Sequence, residues 1–192
     1  MTRPMTHHLA RTLVTGAALW ALACGAQAAN QVVLSPGAST LQPGQTIELT
    51  LSGADFDSLT LGGGVSLQWN PAVLDLVSVN VDAANWEFAR SGGLLDAASG
   101  TLSELYFASF IGRSGSFNIA SLRFVADGPG VSDVTLSGAP AFPFSDEMGE
   151  VMAIDFSGAR LTVSAVPEPA SALLLLAGLC GLARRRTGRT GS

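Results

Sequence analysis

Between Asn30 and Val166 few side chains can do chemistry, and carboxylates dominate those that can. Glu87 and Glu104 are the pair available for acid and base work in glycoside hydrolysis, but no local motif frames them. Two acidic turns stand apart: "GADFDS", with Asp55 and Asp57, and "SDEMGE", with Asp146, Glu147 and Glu150. Hard carboxylate oxygens at such spacing suit Ca²⁺, although neither turn fits the EF-hand loop and acidic turns are usually only solvated. Among the aromatics, Trp86, Phe88 and Tyr106 are the candidates for stacking on a ligand such as a sugar ring. Trp86 ranks first because "AANWEFARSGG" lies outside a clear strand, whereas alternation assigns Trp69 to the core.

The absences exclude more than the carboxylates suggest. The same stretch has no His and no Cys, and the whole 192-residue chain has no Lys. There is then no Ser-His or Cys-His nucleophile, no imidazole base, no thiolate or imidazole zinc site and no Schiff base. No cofactor is expected beyond the possible Ca²⁺, and a non-enzyme is the expected class. Arg90, Arg113, Arg123 and Arg160 face fourteen Asp or Glu, a net charge of −10 that repels phosphate backbones and argues against nucleic acid as a partner. No disulfide can form within this stretch, so burial alone must hold it.

The elements that position these groups read as strands. "TIELTL" places Ile47, Leu49 and Leu51 on one face, "VSLQW" repeats the pattern with Val65, Leu67 and Trp69, and "SDVTL" and "ARLTV" repeat it again. In "SFNIASLRFVA" the inward parity switches between Ile119 and Leu122, and in "LDLVSVNV" between Leu76 and Val77; a β-bulge corrects such a slip. Breakers such as "QPGQ", "LGGG" and "DGPG" separate the runs, with "LGGG" read as a hairpin turn. Short strands without a sustained helical period predict an all-β fold, an antiparallel two-sheet sandwich over residues 30–165.

The two ends have other grammars. Residues 1–28 show a basic head, an apolar stretch from Leu13 to Cys24 and an A-x-A site at Ala26 and Ala28, the order of a secretory signal peptide expected to be helical. A lipid-attachment reading of Cys24 is disfavoured by Ala21, where an aliphatic residue is wanted. In residues 166–192, Val166-Pro167-Glu168-Pro169 leads into an apolar run from Ala170 to Ala183, then Arg184, Arg185 and Arg186. As a helix the run would span ~21 Å, short of the ~30 Å hydrocarbon core, and the arginines would stay on the cytoplasmic side.

That tail closely resembles the PEP-CTERM sorting signal of Gram-negative bacteria in all three of its parts. The resemblance implies export, transient insertion in the inner membrane and cleavage near Pro-Glu-Pro by an exosortase, with release or attachment at the surface. "PGQTIELTLSG", "GGGVSLQWNPAVLDLVSVNV" and "GSFNIASLRFVADGPGVSDVTLS" resemble, in that order, the cohesin-like β-sandwich family, a jelly-roll fold, with Asn70 standing where the family usually has Asp. Together the resemblances imply an exported, non-enzymatic protein of the cell surface or extracellular matrix, with a binding or structural role toward exopolysaccharide. A protein-recognition module with a surface-protein partner is the alternative, and a small glycan-active enzyme the third.

Overall fold

The computed structural model describes residues 30–165, which form strands, turns and loops with no helix. The signal segment, with Ala26 and Ala28, and the tail from Val166 onward, with Pro167, Glu168, Pro169 and Arg184 to Arg186, lie outside the described residues. Eleven strands follow one another: β1 (Gln31–Ser35), β2 (Ala38–Leu41), β3 (Thr46–Gln68), β4 (Leu74–Val81), β5 (Ala89–Ser91), β6 (Leu94–Asp96), β7 (Thr101–Ala126), β8 (Gly130–Gly138), β9 (Ser145–Asp146), β10 (Asp155–Ser157) and β11 (Ala159–Val163).

The long strands β3 and β7 each serve both layers. The first part of β3 lies between β1 and the second part of β7, with β4 beyond β7 and β10 beyond β1. The second part of β3 lies between β8 and the first part of β7; β5 and β6 flank β7, and β11 and then β2 flank β8. The sandwich is antiparallel apart from two edge pairs, β1–β10 and β11–β2, which run parallel.

The parity switches are bulges. Leu51 pairs with Ala120 and Ser52 with Asn118, so Ile119 is the extra residue and turns inward beside Ala120. Leu76 pairs with Phe124 and Ser78 with Arg123, so Val77 is extra and turns outward. Each bulge lets an apolar run shift phase without leaving the core.

The hairpin expected at "LGGG" is not there. Leu61 to Gly64 lie inside β3, paired with β7. These glycines make room instead: a Cβ on Gly63 would stand 2.6 Å from the Phe144 ring, and one on Gly64 2.7 Å from Cβ of Phe142. The rings arrive from a loop nearly eighty residues downstream, which the local sequence does not announce.

The strands give the domain two poles. Val163, at the end of β11, pairs with Gly130 at the start of β8, whereas Gly138 at the far end of β8 pairs with Val65, and the Ala139 amide donates to Gly64. At ~3.3 Å per residue the poles are about 26 Å apart along β8. The described chain ends at one pole; the glycine run and the 139–145 loop form the other. Near the first pole Trp69 is buried edge-on against Phe124, its indole N–H donating to the Leu74 carbonyl.

Candidate functional site

At the second pole the register collects aromatics that the sequence scatters. Gly62, Gly63 and Gly64 face Ala108, Phe107 and Tyr106 on β7, and β5 sets Ala89 and Ser91 opposite Ala108 and Tyr106. Because β-strand side chains alternate, Phe107 points into the core and Tyr106 out of it. Phe142 stacks on Tyr106 with centroids 4.4 Å apart. Phe88, just before β5, meets Phe110, in the stretch of β7 between the paired residues Ala108 and Arg113, at 4.2 Å. Leu61, Phe88, Tyr106, Phe110, Phe142 and Pro143 line a hollow of about 660 Å³.

This hollow is open and apolar. Phe88 is 58% exposed, Phe110 70% and Ile111 68%. A neighbouring turn adds Gly149 to its wall and carries the exposed Met148. Single exposed apolar residues are ordinary, but a contiguous set with two aromatic pairs is a candidate for burial by a partner.

Glu87 holds one side of the hollow together. Its Oε1 accepts from the Ser109 hydroxyl at 3.0 Å and from the Phe110 amide at 2.9 Å. Hydrogen bonds from backbone amides hold its carboxyl below the usual glutamate range, with smaller contributions from Ser109 and the Arg113 charge. Glu87 is therefore a clamp between the Phe88 and Phe110 segments. Glu104 sits at a left-handed position (φ 57°) inside the β7 register shift opposite β3, and is exposed.

Two of the three predicted stacking aromatics, Phe88 and Tyr106, line this hollow. Trp86 does not, and its ranking is corrected. It is fully buried, packs on Phe107 at 4.5 Å and on Phe117 at 5.4 Å, and donates from its indole N–H to the Asn118 carbonyl at 2.9 Å. No ring face remains for a ligand. Phe110, Ile111 and Phe142 are the residues the sequence reading missed. The adjacent Phe110-Ile111 pair, breaking the alternation just before "GRSG", was the available signal.

The acidic turns have local occupations. Asp55 is the left-handed residue (φ 57°) of a register shift between Gly53 and Phe56, and the Asp57 amide donates to Asn30 Oδ1 at 3.2 Å. Asp146 Oδ1 accepts from the Met148 and Glu150 amides, both at 2.9 Å, closing its own turn around Glu147. Among the described residues no three His, Cys, Asp or Glu side chains gather where they could hold a metal ion.

The comparisons bear on both parts of the chain. Residues 165–186 match the family described as the PEP-CTERM protein-sorting motif. No curated protein matches the chain. Among solved structures, a non-cellulosomal cohesin from the hyperthermophilic archaeon Archaeoglobus fulgidus is similar with a TM-score of 0.59 at 13% identity, over 76% of this chain and 97% of that one. The structure of a type I cohesin–dockerin complex from Clostridium thermocellum matches with a TM-score of 0.58 at 10% identity, over 70% of this chain and 99% of that one. CaCohA2 from Clostridium acetobutylicum, solved in solution, gives 0.55 at 18%, over 72% and 94%. At such identities the likeness concerns the fold. The chain thus joins a β-sandwich of cohesin fold to a PEP-CTERM sorting motif, a signal for export and sorting to the cell surface.

Proposed function

We propose that this is a non-enzymatic recognition protein of a Gram-negative cell surface, held in the inner membrane until an exosortase processes its tail. Its domain binds another protein through the aromatic hollow. The exposed Phe88 and Phe110 lining an apolar depression, with the exposed Ile111 next in sequence, carry this reading. Phenylalanine and isoleucine have no polar handle, and the Phe88 and Phe110 rings stand 54° apart rather than forming a flat platform for a sugar. Tyr106 has one face covered by Phe142. Such a surface suits the apolar centre of a protein interface. The cohesin-like fold supports it as well, since one solved relative is a complex with a dockerin.

The test is a photo-crosslinking amino acid placed at position 110 or, as control, at the exposed position 123 of the full chain on living cells. A discrete adduct with a protein, formed from position 110 alone, is expected. No adduct at 110, or equal adducts at both, overturns the binding face. For sorting, replacing Pro167-Glu168-Pro169 by three alanines is expected to leave the uncleaved chain in the inner membrane; normal processing of that variant overturns the exosortase reading.

A further inference from the structure

Arg113 stands in a second hollow, distinct from the aromatic one. The sides are Ser52, Asn85, Ser114, Ser116 and Asn118, with Phe117 beneath, around a volume of about 710 Å³. The guanidinium is fixed but underused. Its Nη1 donates to the Gly112 carbonyl at 3.3 Å and its Nη2 to the Ala84 carbonyl at 3.4 Å, both long bonds, while the buried Nε–H has no partner. A buried unpaired donor is costly, and more so when charged, so it is uncommon in a folded domain. The single ion pair among the described residues joins Arg160 to Asp133, which leaves Arg113, like Arg90 and Arg123, without one. The neighbouring Glu87 is engaged by Ser109 and Phe110. In a stretch with fourteen carboxylates and four arginines, that is an unexpected economy of pairing.

The rest of the lining is chemically uniform. The side chains of Ser52, Ser114, Ser116 and Asn118 make no hydrogen bond to other described residues, and three of these four are exposed. Hydroxyls and a carboxamide offer donors and acceptors together, which suits a ligand rich in hydroxyls. The planar guanidinium suits a carboxylate. An acidic peptide would need apolar footing beside its carboxylate, and here only the edge of Phe117 and the Ala54 methyl group are available. We infer that the Arg113 hollow binds a glycan bearing carboxylates, with Arg113 on the carboxylate and the serines and Asn118 on the sugar hydroxyls. The strongly negative domain as a whole repels such a polymer, so the site reads single uronic acid residues at Arg113 and does not rely on long-range attraction.

The probes are polygalacturonate, the same polymer with its carboxyls methyl-esterified, and polyglutamate, each titrated against the detergent-purified full chain. Polygalacturonate is expected to bind. Its ester and polyglutamate are expected to bind at least about tenfold more weakly, the scale of one charge-assisted hydrogen bond. Arg113→Gln should remove the preference for the acid form, and Arg113→Lys should restore it only in part because the planar fork is gone. Should Arg113→Gln fail to fold by circular dichroism, Asn118→Ala and Ser116→Ala, both at exposed positions, are expected to weaken polygalacturonate several-fold without changing the melt. Equal affinity for acid and ester overturns the carboxylate assignment. Tighter binding of polyglutamate overturns the glycan in favour of an acidic peptide, and retention by Arg113→Gln overturns the site.

Discussion

The second pole holds two sets of aromatic side chains that differ only in which way they face. Phe56, Trp86, Phe107, Phe117 and Phe144 meet inside the sandwich, at centroid distances from 4.5 to 6.1 Å. Phe88 with Phe110, and Tyr106 with Phe142, make equally close pairs on the outside. The inner set satisfies its one polar atom, the Trp86 indole N–H, on a backbone carbonyl; the outer set leaves apolar area in water. The same contacts therefore have opposite meanings. Inside they stabilise the fold, and outside they leave free energy to be gained by a partner.

Substitution should separate the two sets, the inner one first. Trp86→Ala in the fragment 30–165 is expected to lose about 3–5 kcal/mol, the scale for truncating a buried aromatic, measured by denaturant melts. Gly63→Ala is expected next, at about 1–3 kcal/mol, because its methyl group would enter the space of the Phe144 ring. Phe110→Ala should change stability by less than about 1 kcal/mol while abolishing partner capture at the hollow. A large loss of stability from Phe110→Ala would put it among the structural residues and erase the distinction.

Acid should loosen the outer set through Glu87. Its folded pKa is lowered from 4.5, as that of Asp96 is from 3.8 through the Ser99 hydroxyl and amide. Groups lowered on folding stabilise above their unfolded pKa, and that contribution disappears as pH falls through the lowered folded values. The melting temperature is therefore expected to drop below about pH 4.5, less steeply in Glu87→Gln. An identical slope in that variant would show that the clamp is not formed. Calcium should do least. Melts in millimolar CaCl₂ and in NaCl of equal ionic strength are expected to coincide, and a calcium-specific rise abolished by Asp146→Asn would reveal a site at that turn.

The aliphatic core around the inner set was legible in the sequence at Leu49, Leu51, Val65, Leu67 and Trp69, because period-2 alternation reports which face a strand residue takes. The phase slips near Ile119 and Val77 were legible for the same reason: a bulge leaves its mark in the local pattern. Trp86 was not, since its burial depends on the Asn118 carbonyl and on Phe117 in another strand. Nor were the glycines of "LGGG", whose use is to admit rings from residues 142 and 144. Phe88 and Tyr106 stood out singly, but their convergence with Phe110 and Phe142 is a product of register, which no single stretch contains.

The last strand has a mechanical side. β11 is bonded along its length to β8 on one side and to β2 on the other, and the Ser164 amide extends the pairing to Leu41. Were the chain tethered beyond the pole where the described residues end and loaded at the other, tension would run lengthwise through these strands. The two ladders of β11 would then bear load in shear, all their bonds sharing it, rather than being peeled apart one rung at a time. Survival under pulling is governed by the rate of unfolding and not by the equilibrium free energy. A sandwich suspended this way can hold a taut connection longer than its modest size suggests, whichever partner draws on it.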